Sequence, residues 1–130
     1  AGLTEGRDRI AENLPVLDRK LLMIAGALAT KPRLLLMDEP VGGLTPGEID
    51  RVVAVVERIR AAGITVVLIE HVMRFLVQLS DRVMILHHGE KIYEGSAAGL
   101  VRDRTVVDVY LGAGASERLA SFLEQQGGPA

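Results

Sequence analysis

The chain has 130 residues, 48% of them hydrophobic and 25% charged, with 15 basic and 17 acidic side chains and no cysteine. These values are typical of a folded globular domain and exclude a disordered, collagen-like or disulfide-stabilised chain. The net charge of −2 gives no general attraction to nucleic acid, and the apolar stretches are shorter than the roughly 20 residues of a membrane-spanning helix. The sequence has no secretory signal pattern. The absence of cysteine leaves the redox compartment open, and a cytosolic location is the simplest expectation. Since the sequence starts at Ala1 without methionine, we expect it to be part of something longer.

Apolar residues alternate between helical and strand spacing along the chain, which predicts an α/β fold. We expect a mostly buried helix over residues 15–30, with Pro15 in its first turn. The continuous apolar runs at residues 34–37 and 64–69 predict two buried parallel strands.

The helix between these strands has the clearest end signals. Thr45 and Glu48 form a capping-box pattern around Pro46, and Gly63 stands where a glycine ends a helix.

Shorter elements follow, and residues 112–130 have a looser composition. We predict a helix over residues 72–79, a strand over 82–86, a His-Gly turn at 88–89, a partner strand over 91–93 and a helix capped by Ser96. Further helices are expected at 106–111 and 117–125, with disorder in the last few residues.

Three side chains that could carry chemistry follow the first two predicted strands. Asp38 and Glu39 come at the end of the first strand, and His71 comes at the end of the second. Because neighbouring parallel strands bring their carboxyl ends to one edge of a sheet, these residues would outline one site. A carboxylate there could hold Mg²⁺, and the adjacent one could orient or deprotonate a water. Taken alone, Asp38 and Glu39 fit better a solvated acidic loop, and His71 fits better a helix start or a hydrogen-bonding loop residue.

Several short motifs along the chain occur in the order found in one protein family. Leu-Leu-Leu-Met-Asp-Glu-Pro at 34–40 resembles the Walker B motif of ABC transporter ATPases, and Gly-Leu-Thr-Pro at 43–46 resembles their D-loop. Ile-Glu-His at 69–71 resembles the switch-histidine segment, and residues 79–86 and 89–95 follow in the family's order. With Tyr-Leu-Gly at 110–112, the chain looks most like the ATP-binding subunits of branched-chain amino-acid importers, over the C-terminal half of the nucleotide-binding domain.

The resemblance implies a role for each matching residue. Asp38 would bind Mg²⁺, Glu39 would be the general base for the attacking water, and His71 would contact the γ-phosphate. The D-loop residues would lie at a dimer interface; they are Gly43, Leu44 and Thr45. The family often has aspartate where Thr45 stands, so that contact would be altered.

The family's signature, Leu-Ser-Gly-Gly-Gln, is degenerate here. It falls on residues 14–18, where Pro15, Val16 and Leu17 replace the serine and both glycines. Proline has neither hydroxyl nor N–H, and the two bulkier residues stand where glycine would let the backbone approach a phosphate. Either this half-site is lost, or the remaining amides engage the phosphate of ATP more weakly.

No phosphate-binding loop of the form Gly-x-x-x-x-Gly-Lys-Ser/Thr occurs in the sequence. We therefore expect a partial P-loop NTPase-type parallel sheet with flanking helices and a C-terminal β-hairpin, lacking the P-loop strand. ATP and Mg²⁺ are expected cofactors of a complete protein, with no tight binding to this chain alone. Part of its apolar core is expected to be uncovered.

The resemblance also implies domain limits and partners. Residues 1–112 would form the partial nucleotide-binding domain and 113–130 a tail. A second nucleotide-binding subunit and transmembrane permease subunits would be partners, with a peripheral position on the cytoplasmic face of the membrane and no nucleic acid. A contrasting hypothesis is a non-catalytic module that dimerises or binds a partner, including self-association through exposed strand edges.

Overall fold

A computed structural model describes residues 8, 10–103 and 106 of the chain. The chain divides into two compact units, Ala1–Phe75 and Leu76–Ala130, and each is described by itself. After a 3₁₀ turn at Ala11–Asn13, the helices are α1 (Val16–Ala29), α2 (Pro46–Ala61), α3 (Met73–Leu79) and α4 (Ala97–Arg102). The strands are β1 (Leu34–Asp38), β2 (Thr65–Ile69), β3 (Val83–His87) and β4 (Glu90–Gly95).

The first unit contains a parallel pair of strands. β1 and β2 run in register from Leu34 opposite Thr65 to Asp38 opposite Ile69. The pairing continues one residue further, because the Glu39 N–H donates to the Ile69 carbonyl at 2.8 Å. The predicted meeting of the two carboxyl ends at one edge is therefore confirmed.

The buried side chains of α1 and α2 are aliphatic, and Phe75 adds a fully buried aromatic ring to the first unit. α1 and α2 each bury one face, as their helical apolar spacing predicts. Fully burying such a side chain stabilises the fold by roughly 1.5–3 kcal/mol. The buried residues of these helices are Leu17, Leu21, Ile24, Val52, Val53, Val56 and Ile59.

The ends of α2 follow the signals in the sequence. The Glu48 carboxylate accepts hydrogen bonds from both the N–H and the hydroxyl of Thr45, each at 2.8 Å. At the other end Gly63 adopts φ 83°, a left-handed conformation that glycine enters without a side-chain clash. The predicted capping box and terminal glycine are confirmed.

The prediction that β1 and β2 are buried on both faces is wrong. Leu35 and Met37 are buried, but Leu36 is 68% exposed, and Val67 and Ile69 on the neighbouring strand are 46% and 63% exposed. This face of the pair is therefore largely exposed, while the other face of β1 is buried and that of β2 is half-buried. The exposed apolar face agrees with the expected uncovered core.

The second unit contains an antiparallel hairpin. β3 pairs with β4 from Val83 opposite Gly95, and His88 and Gly89 turn the chain with φ 48° and 82°. The Ser96 side chain accepts from the Gly99 N–H at 3.0 Å, which caps α4, and α4 contacts β4. The hairpin and its turn are confirmed.

The α/β fold class is confirmed, with two parallel strands, flanking helices and a following hairpin. The helices expected at 106–111 and 117–125 and the tail at 113–130 lie outside the described residues, apart from Val106. Within the described ranges, no helix combines the length and apolarity needed to cross a bilayer.

Candidate functional site

The structure brings Glu39 and His71 side by side at the carboxyl ends of β1 and β2. His71 Nδ1 lies 3.6 Å from Glu39 Oε1, and the two side chains are 67% and 62% exposed. Asp38 is the last residue of β1 and is also exposed. The strand ends therefore present two carboxylates and one imidazole to solvent, as the motif positions predicted.

The backbone of Glu39 is held from several directions. Its φ is 45°, a left-handed value that is uncommon for any residue with a side chain. Its N–H donates to Ile69, and its carbonyl accepts from Lys20 Nζ at 2.8 Å and from the Gly42 N–H at 3.3 Å. Because Lys20 belongs to α1, the helix, the loop and β2 all bind the backbone of this one residue.

Glu70, like Lys20, belongs to this site although the motifs assign it no role. Its side chain is 0% exposed, although it lies between two exposed residues, Ile69 and His71. It accepts hydrogen bonds from the backbone N–H groups of Val41, His71 and Val72. The sequence signal that could have found it is a carboxylate placed directly at the end of a β-branched strand, where burial requires partners.

The segment that follows Glu39 connects β1 to the start of α2. Gly43 has φ 77°, and the Leu44 N–H donates to the Val41 carbonyl at 3.2 Å. Thr45 is the N-cap of α2, and its backbone and hydroxyl hydrogen bonds lower the pKa of Glu48. Thr45 thus has a structural role that is independent of any interface.

The residues at the start of α1 differ in their exposure. Pro15 is the N-cap and has no side-chain capping bond, and Val16 is 43% exposed. Leu17 is 3% exposed, so its side chain belongs to the core and is closed to a ligand. Of the three residues that replace the signature, Pro15 and Val16 are exposed and Leu17 is not.

A cavity of about 280 Å³ lies beside Asp38, between α1 and β1. Its lining is mostly aliphatic, with Lys20 and Asp38 as its charged members. The lining residues are Lys20, Met23, Ile24, Ala27, Leu35, Leu36, Met37, Asp38 and Pro40.

Asp38 fits a single-carboxylate Mg²⁺ site. Over residues 8, 10–103 and 106, no three His, Cys, Asp or Glu side chains are grouped so that they could hold a metal ion. Mg²⁺ needs no such group, since it commonly keeps several waters and takes one or two carboxylates together with substrate phosphates. An exposed carboxylate at the end of a hydrogen-bonded strand meets that requirement.

Comparison with known proteins gives related sequences, although no family model matches. The chain is 34% identical over 111 residues to the high-affinity branched-chain amino acid transport ATP-binding protein BraF of Pseudomonas aeruginosa. The aligned residues make up 85% of this chain and 44% of that protein. It is 37% identical over 103 residues to the ribose import ATP-binding protein RbsA 1 of Rhizobium etli, over 79% of this chain and 20% of that protein. The chain therefore spans less than half of these relatives.

Solved structures give the same result. The ADP conformation of MJ1267, an ATP-binding cassette of an ABC transporter, matches with a TM-score of 0.74 and 33% identity over 81% of this chain and 43% of that one. The cbiO1 protein of Clostridium perfringens, part of the ABC transporter complex cbiONQ, matches with a TM-score of 0.70 and 25% identity over 93% of this chain and 48% of that one. The chain thus has the fold of part of an ATP-binding cassette, and its structural neighbours are cassettes of ABC transporters. Its homologues include the ATP-binding proteins BraF, BraG and LivG of branched-chain amino acid transport.

Proposed function

We propose that this sequence is the part of an ATP-binding subunit that supplies the Walker B carboxylates and the switch histidine, in a transporter that imports branched-chain amino acids. The observation that carries the proposal is the pairing of Glu39 and His71 across two parallel strand ends at 3.6 Å. The likeness to BraF, BraG and LivG supports the substrate class.

Each residue of the proposed site has a separate task. Glu39 accepts the proton of the attacking water, since it is exposed and its peptide is fixed by Lys20 and Ile69. His71, which lies beside Glu39, contacts the γ-phosphate of ATP. Asp38 holds Mg²⁺, which when bound offsets negative charge on the phosphate oxygens.

The partners follow from the same proposal. Residues 1–112 form the partial nucleotide-binding domain and 113–130 a tail, and the subunit works with a second nucleotide-binding subunit and transmembrane permease subunits. It then lies on the cytoplasmic face of the membrane. The segment Gly43, Leu44 and Thr45 faces the second subunit, and Pro15, Val16 and Leu17 replace the phosphate-binding signature. Main-chain N–H groups are the phosphate donors that the start of α1 can still offer.

The test is Glu39→Gln in a full-length ATP-binding protein that contains this sequence. Loss of the proton acceptor should reduce ATP turnover by at least about 100-fold while ATP binding is kept. Glu57→Gln is the matched control, because Glu57 is an exposed glutamate of α2 and its loss should leave turnover unchanged. Full hydrolysis by the Glu39→Gln protein would remove Glu39 from this role.

A second candidate function is a non-catalytic module that associates with a partner or with itself. The observation that favours it is the exposed apolar face formed by Leu34, Leu36, Val67 and Ile69. Light scattering at increasing concentration should then show dimers, and Leu36→Lys should shift the equilibrium to monomers whereas Glu57→Lys should not. A monomeric mass at every concentration would rule out self-association.

A further inference from the structure

We propose that Glu70 is a positioning residue whose buried carboxylate fixes the loop that carries Glu39 against the strand end that carries His71. The effect of Glu70 on ATP hydrolysis rests on the proposed function, whereas its effect on the position of the loop does not.

The two oxygens of Glu70 serve two different segments. Oε1 accepts from the Val41 N–H at 2.9 Å, two residues beyond Glu39. Oε2 accepts from the N–H groups of His71 at 3.0 Å and Val72 at 3.2 Å. One side chain therefore joins the loop after β1 to the turn after β2, and it does so at the level of the backbone.

Burial makes this connection rigid. A carboxylate that is 0% exposed is costly unless its charge is met by donors, and here several N–H groups converge on it. If the loop moved away, a buried oxygen and a backbone N–H would both lose their partners. Separating the loop from the turn would therefore cost the free energy of these buried hydrogen bonds, in addition to any loss of packing.

The same carboxylate also stands next to the imidazole. His71 Nδ1 lies 3.7 Å from Glu70 Oε2 and 3.6 Å from Glu39 Oε1. The ring therefore has one buried neighbour and one that is 62% exposed. By binding the backbone next to each of them, Glu70 keeps the distance between the exposed side chains of Glu39 and His71 constant.

Glu70→Gln is the informative change because it keeps size and removes one acceptor. The amide oxygen can serve only one of the two segments, and the NH₂ group then faces a backbone donor. We expect the amides of Val41, or those of His71 and Val72, to exchange about tenfold faster or more. The side-chain NMR resonances of His71 should shift as its spacing to Glu39 changes.

The first experiment measures amide hydrogen exchange and His71 resonances in this chain. The amides of α2 serve as the internal reference, and Glu57→Gln is the matched variant. Faster exchange confined to the residues bonded to Glu70, with a shifted His71 ring, is the expected result. Unchanged exchange and resonances would overturn the proposal. Equal acceleration of the α2 amides would also overturn it, because Glu70 would then contribute only to general stability.

The second experiment tests the consequence in the full-length protein. A displaced loop should lower kcat about 10- to 100-fold with the KM for ATP unchanged, since the change affects alignment and not binding. An unchanged kcat would refute the positioning role in hydrolysis. If the wild-type protein hydrolyses no ATP, the proposed function fails while the exchange experiment still decides on Glu70. Should Glu70→Gln not fold, Glu70→Asp is measured in its place, because it keeps two oxygens at a shorter reach.

Discussion

Two adjacent leucines of β1 should respond very differently to the same truncation. Leu35 is 5% exposed and Leu36 is 68% exposed, because successive side chains of a strand point to opposite faces. Leu35→Ala removes buried methyl groups and leaves a cavity, which costs about 2–5 kcal/mol of unfolding free energy. Leu36 buries only about a third of its surface, so Leu36→Ala should cost less than about 1 kcal/mol.

Urea denaturation of the two variants, at a concentration where the chain is monomeric, measures this difference directly. The unfolding midpoint should fall strongly for Leu35→Ala and little for Leu36→Ala, with similar slopes against denaturant. Equal losses would refute the reasoning, since they would mean that both faces of β1 are buried in solution.

Four further predictions concern a helix end, two glycines and the ligand. Hydrogen bonds from the Thr45 backbone and hydroxyl hold the pKa of Glu48 below its usual value, so the stabilising effect of the carboxylate is full at neutral pH and is lost as pH falls through the folded-state pKa. Glu48→Gln should therefore lower the urea midpoint at neutral pH, and this effect should shrink steadily as the solution is made more acidic; an effect that does not change with pH would contradict this. Gly26→Ala should stabilise by about 0.5–1 kcal/mol, because nothing lies within 4 Å of the added Cβ in the interior of α1. Gly99→Ala should destabilise by about 1–3 kcal/mol, because its Cβ would lie 2.6 Å from Tyr93 Oη; thermal melts that rank these two variants in the opposite order would argue against the packing described. Calorimetric titration of the chain with ATP and Mg²⁺ should detect no tight binding, and a micromolar Kd would overturn the expectation that it lacks a complete site.

The local signals in the sequence predicted much of the fold. Thr45, Glu48 and Gly63 mark the ends of α2 because each satisfies backbone groups of its own helix, and such contacts are readable within a few residues. The turn at His88 and Gly89 was found for the same reason. Strand burial was not readable in this way, since the exposure of Leu36 depends on which distant segments cover the sheet.

The candidate site shows the same division. The positions of Asp38, Glu39 and His71 at the strand ends followed from topology, because parallel strands align their carboxyl ends. Glu70 was missed because its role depends on the Val41 N–H, which comes from a loop far away in the chain. The bond from Lys20 to the Glu39 carbonyl was missed for the same reason.

The left-handed backbone of Glu39 has a cost that falls on the whole molecule. A residue with a side chain loses about 1–2 kcal/mol in that conformation, which glycine would adopt freely. The chain therefore places a strained residue where an unstrained one would give a more stable protein without the carboxylate. At Glu39, therefore, a glycine that stabilised the fold would also remove the carboxylate to which we assign proton transfer.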